Sequence, residues 1–71
     1  MVLTISTDME NTYYEVTTKN KRFANYPLAC MGRFGGYFVA LDKDNWFEQA
    51  EHIASWVNNK LKEECLFEIY H

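Results

Sequence analysis

One stretch constrains this chain more than any other. Apolar residues fall at positions 47, 50, 54, 57 and 61, at spacings of three, four, three and four. That is the repeat of a helix with one apolar face. No other segment has helical period, so the rest of the chain must supply a surface that buries this stripe. Asn45 followed by Glu48 reads as a capping box, and Asp42 and Asp44 suit the positive end of a helix dipole. Lys60 and Lys62 stand where a helix end favours cations. The pattern predicts a helix over residues 45–63, with Phe47, Ala50, Ala54, Val57 and Leu61 facing the core and Trp46 and Ile53 at its borders.

Around it the period changes to two. Val2 to Thr7 places Leu3 and Ile5 on one face; Thr12 to Thr18 places Tyr14 and Val16 on one face. With a polar connection over residues 8–11 between them, they read as an antiparallel hairpin. Lys19 to Lys21 breaks the pattern as a turn, and Pro27 bars a central strand at that point. Leu28 to Met31 suits a short strand. Tyr37 to Leu41 is apolar on both parities, the mark of a central strand. Cys65 to Tyr70 alternates again as a last strand. The expected fold is α+β: a small, mostly antiparallel sheet of four to five strands, order ββ(β)βαβ, with the helix on one face. A helical crossover before the last strand allows one parallel pair.

At 71 residues this is a single domain, 1–71. So short a chain hides only roughly 60% of its unfolded surface. Twelve aromatic residues compensate, because each buried ring removes about 150–250 Å² from water. The N-terminus has no basic start and breaks its apolar run at Thr4 and Ser6, so it reads as neither signal nor transit peptide. No stretch approaches the ~20 apolar residues of a membrane span. The expectation is a soluble cytoplasmic protein with Cys30 and Cys65 as reduced thiols.

The inventory for chemistry is poor. The chain has no HExxH, CxxC or GxSxG and no glycine-rich phosphate loop. A zinc site from Cys30, His52, Cys65 and His71 would lack any of the usual local spacing. Residues 42–45, Asp-Lys-Asp-Asn, lack the glycine and the later glutamate of a calcium loop. Glu48, Glu51, Glu63 and Glu64 read as a solvated helix face. The expectation is therefore no enzyme, no cofactor and no metal.

Two surface features remain. Trp56 lies about 120° from the stripe centre at 100° per residue, among Gln49, His52, Asn59 and Glu63. It is either covered by the 19–36 segment or a second subunit, or it is the exposed anchor of a partner site with those four as its rim. The second feature is the 19–37 segment. Lys19, Lys21, Arg22 and Arg33 alternate with Phe23, Tyr26, Phe34 and Tyr37, with no acidic residue among them. Residues 1–41 carry net +1 and residues 42–71 net −4. Its simplest reading is aromatics in the core and charges in solvent. The sharper one is nucleic-acid contact by Lys19, Lys21, Arg22, Arg33 and Phe34.

In size, acidity, aromatic content and want of motifs the chain resembles small proteins of bacteriophages and mobile elements that block a host enzyme. The resemblance is one of composition, and no residue carries it. The sequence thus leads to an acidic protein–protein interaction module, an inhibitor of a larger host complex in its most specific form. Its expected partner is another, larger protein, with no membrane, and the chain itself is a monomer or homodimer. Nucleic-acid binding through residues 19–37 is the alternative.

Overall fold

The computed structural model describes residues 1–8, 10 and 12–70. Of the connection expected over residues 8–11, Met9 and Asn11 lie outside the described residues, as does His71. The β-branched and apolar runs form strands β1 (Val2–Thr7), β2 (Tyr14–Thr18), β3 (Cys30–Met31), β4 (Tyr37–Leu41) and β5 (Leu66–Tyr70). One helix, α1 (Trp46–Lys60), separates the last two. The fold is α+β, with a five-stranded mixed sheet in the order β3-β4-β2-β1-β5.

Register follows the alternation read in the sequence. In the antiparallel β1–β2 pair Ile5 faces Val16, and in β2–β4 Val16 faces Val39 and Tyr14 faces Leu41. β5 joins β1 in parallel, with Leu3 beside Phe67 and Ile5 beside Ile69. β4 and β5 therefore run in the same direction, with β2 and β1 between them. A helix that covers the middle of a sheet must start on one side and deliver the chain to the other, and this is why β5 lands beyond β1.

The core is Leu3, Ile5, Val16, Phe23, Val39, Leu41, Ala50, Ile53 and Val57, all nearly inaccessible. Phe23 arrives from a 3-10 turn, Lys21–Asn25, which also answers what the 22–36 stretch does. Asn20 opens that turn by accepting from the Arg22 N–H at 2.9 Å. Phe23 is fully buried and meets Trp56 of α1 edge-on at 6.3 Å.

Three expectations about the helix are corrected. Asn45 makes no side-chain cap, because its ψ of 15° turns it out of the extended geometry a cap needs. Gln49 does the tying instead: its Oε1 accepts from the Asp42 N–H at 2.7 Å and its Nε2 donates to Asp42 Oδ2 at 3.2 Å. The helix stops at Lys60 rather than Glu63, because Lys62 takes the left-handed conformation (φ 54°) and reverses the chain. Its phase is also rotated. Ile53 is 1% exposed whereas Phe47 is 63% exposed, and Ala54 and Leu61 are only half-buried. The reason lies in the two indoles: Trp46 stacks on Tyr14 at 5.3 Å and Trp56 meets Tyr26 edge-on at 5.1 Å. Burying both rings turns the helix toward them and leaves Phe47 outside. Of the two readings of Trp56, the structure shows the one in which the 19–36 segment covers it: the ring is half-buried against Phe23 and Tyr26.

Candidate functional site

With α1 on one face, no helix among the described residues covers the other face of the sheet. Alternation puts every second side chain there: Val2, Thr4 and Ser6 of β1, Glu15 and Thr17 of β2, Cys30 of β3, Phe38 and Ala40 of β4, and Leu66, Glu68 and Tyr70 of β5. Register lines them up in rows. One runs Glu68–Thr4–Thr17–Phe38–Cys30, the next Tyr70–Ser6–Glu15–Ala40.

The loop between β3 and β4 rises at one end of this face. Gly35 donates to the Gly32 carbonyl at 3.3 Å, which closes a β-turn with Arg33 and Phe34 at its corners. Gly32 donates to the Gly36 carbonyl at 3.0 Å and joins the two strands behind it. Gly36 is required twice over. Its φ is 77°, and a Cβ there would meet the Thr18 carbonyl oxygen at 2.9 Å. Corner residues point away from the sheet, so Phe34 is 92% exposed. Between loop and sheet lies a trough of about 500 Å³, lined by Thr4, Glu15, Thr17, Lys19, Arg33, Phe34 and Phe38 among others.

Electrostatically the face has two ends. Lys19 and Arg33 make the loop end positive. The carboxylates of the face stand on the central strand β2 (Glu15) and on the far edge strand β5 (Glu68), and both are engaged by tyrosines. Tyr13 Oη donates to Glu15 Oε2 at 2.8 Å and Tyr70 Oη donates to Glu68 Oε2 at 2.9 Å. These hydrogen bonds raise both phenols above their ordinary range, so they remain donors.

The site residues read from the sequence are placed as follows. Lys19, Arg33 and Phe34 converge on the trough. Lys21 and Arg22 do not. Arg22 donates from Nη1 to Glu63 and from Nη2 to the Leu61 carbonyl, the latter at 2.6 Å. Glu63 also holds the Met1 ammonium at 2.8 Å, so a residue of the expected Trp56 rim closes an ion network. That ammonium first, and Arg22 after it, keep the Glu63 carboxyl below the usual glutamate range.

Trp56 packs edge-on against Tyr26 and also against Phe23, at 6.3 Å. Of its other neighbours, Gln49 is bound to Asp42, and the Asn59 amide donates to Ser55 Oγ at 3.3 Å. His52 is exposed beside a cavity of about 170 Å³ that it shares with Tyr26, Leu28, Val39 and Gln49. Those four do not ring an open indole. Sequence reasoning missed Phe38, Glu15 and Thr17 as one face. The signal was the polar parity of β2, but register alone brings the strands together.

Cys30 is exposed and Cys65 half-buried, both as free thiols; burial pushes the Cys65 thiol up. Among the described residues no helix is long and apolar enough to cross a membrane. No protein-family model, curated protein or solved structure matches the chain.

Proposed function

We propose that the protein is a protein–protein interaction module that docks on a larger protein through the helix-free sheet face, with Phe34 as its anchor. One observation carries this: a phenylalanine 92% exposed at a glycine-braced turn, on the rim of a 500 Å³ trough that nothing in the described chain fills. A ring so exposed gains nothing for the fold and costs solubility, whereas aromatic rings inserted into a partner dominate interface energies. Thr4, Glu15, Thr17, Lys19 and Arg33 line the trough beside it and form a polar rim of the kind such anchors have. The matching partner surface is basic where it meets Glu15 and Glu68 and acidic where it meets Lys19 and Arg33. In its most specific form the module is an inhibitor, a small protein that occupies the working surface of a larger complex.

Phe34→Ala tests it. Immobilised wild-type and variant proteins are compared for a partner captured from lysate and then titrated in purified form. The variant should bind at least ~2 kcal/mol more weakly, about thirtyfold, the threshold of an interface hot spot. Its melting should not change. Equal binding by both refutes the anchor.

Nucleic-acid binding is the second reading, and the convergence of Lys19, Arg33, Phe34 and Phe38 on one trough favours it. Against it stand Glu15 and Glu68, which repel phosphate, and the pairing of Arg22 with Glu63. Titration with a random single-stranded oligonucleotide at two salt concentrations separates the readings. Steep salt dependence that Lys19→Glu with Arg33→Glu abolishes would establish the second.

A further inference from the structure

β5 ends the sheet, and its outer edge differs from the rest of the surface. Leu66 donates its N–H to the Met1 carbonyl at 2.9 Å. In a parallel ladder alternate residues turn both backbone groups to the same neighbour. Glu68 and Tyr70 therefore also turn theirs to β1, while Phe67 and Ile69 direct N–H and C=O outward. Natural sheets blunt such an edge with lysine, proline, a bulge or a covering segment. Leu66–Tyr70, Leu-Phe-Glu-Ile-Tyr, contains no lysine or proline, and its one charge, Glu68, lies on the helix-free face. The other edge strand, β3, has only two residues.

The flesh around this edge is apolar on both sides. Leu66 is 52% and Tyr70 57% exposed on the helix-free side, and Ile69 is 49% exposed on the side of α1. Phe47 is nine residues from Trp56, two and a half helical turns, and so lies on the flank of α1 opposite the one that packs on Tyr26. That flank looks to the β5 side of the molecule. On the α1 side of β5 Phe67 packs against the core, but Ile69, two residues on, is half uncovered.

The geometry points to self-association: a second copy of this chain adds its β5 antiparallel to the first, and the two sheets become one of ten strands. A strand paired with itself about a two-fold axis is complementary by construction, since each outward N–H meets the outward C=O of its equivalent. Symmetric pairing also restricts the register. An axis at Glu68 would set two carboxylates directly opposite each other, which is unfavourable. An axis at Phe67 avoids this. Phe67 then faces its own equivalent through two hydrogen bonds, Leu66 faces Glu68 of the second copy, and Cys65 faces Ile69. Phe47 and Ile69 from both copies flank the seam. Phe34, in the loop between β3 and β4, lies at the opposite end of the sheet, and the trough beside it reaches β1 but includes no residue of β5, so this association leaves the anchor open.

The test is sedimentation equilibrium from micromolar to millimolar protein, with amide exchange read at both ends of the range. The expected mass rises with concentration from 8.4 kDa to twice that value. The Phe67 and Ile69 amides should gain protection as it rises, while those of Glu68 and Tyr70 are protected throughout. Ile69→Pro removes an outward N–H and leaves the ladder to β1 intact, which an edge strand tolerates. It should stay at the mass of one chain, at least tenfold weaker in association than wild type, with unchanged circular dichroism. If that variant fails to fold, the wild-type exchange pattern decides alone. A mass of one chain at every concentration overturns the proposal. So does a dimer in which Phe67 and Ile69 exchange as fast as in the monomer.

Discussion

Trp56→Ala should destabilise this protein strongly, and the size of the loss follows from what the ring touches. Truncating a buried Trp costs about 3–5 kcal/mol. Trp56 is half-buried, which places its area term below that range, but it also makes edge contacts with Tyr26 at 5.1 Å and Phe23 at 6.3 Å. Each such pair adds about 0.5–1.5 kcal/mol beyond area. A loss near ~3 kcal/mol results, against a total of only ~3–5 kcal/mol for a domain this small. In guanidinium chloride, at a slope of about 2 kcal/mol per molar, the midpoint should fall by roughly 1.5 M. Fluorescence reports poorly once an indole is lost, so circular dichroism at the helix band is the better probe. A fall of less than about 0.3 M would show that the 21–26 segment does not close on the helix, and would return Trp56 to the surface.

The remaining predictions concern helix phase, loop and acid response. Val57→Asp strands a charge in the core and should leave the chain unfolded by circular dichroism, whereas Phe47→Asp should change stability by less than ~0.5 kcal/mol. The reverse order would mean that the helix is rotated from the position described. Gly36→Ala should cost about 1–3 kcal/mol through its left-handed backbone, and a melt equal to wild type would dismiss that strain. The Glu63 carboxyl titrates below its ordinary 4.5 in the folded state, so its contribution is full above that value and lost as pH falls through the lowered one. Asp8, held low by hydrogen bonds from Thr12, acts in the same direction. Glu63→Gln should therefore flatten, without abolishing, the loss of stability between neutral and acid pH. An unchanged slope in urea melts would remove the Met1–Glu63–Arg22 network from the account.

Much of the architecture was legible because two periods do not mix. Leu3, Ile5, Val16 and Val39 sit at alternate positions, and they all point inward in the structure because a strand has no other way to bury them. The helix was legible for the same reason, and its extent was missed only at the end. The phase was not legible. Counting Phe47, Ala54 and Leu61 as equals of Trp46 and Trp56 ignores that rings choose their neighbours, and the neighbours, Tyr14, Phe23 and Tyr26, lie at least 20 residues away in the chain. The 3-10 turn that carries Phe23 left no periodic trace, because five residues are too few to show one.

The candidate site divides along the same line. Local chemistry prepared its loop: the glycines around Arg33 and Phe34 supply positive-φ freedom, and the structure uses it at Gly35 and Gly36. The basic, aromatic character of residues 19–37 was also written in the chain. Which of those residues work together was a tertiary decision. Arg22 left the group because the reversal at Lys62 brought Glu63 to it, while Phe38, Thr17, Thr4 and Glu68 joined into one face only through the registers of four strands. Strand order is set by where a single helix finds its apolar partners, and that is a property of the whole core. The helix-free face exists because, among the described residues, a single helix of 15 residues packs on the sheet and cannot cover both of its sides.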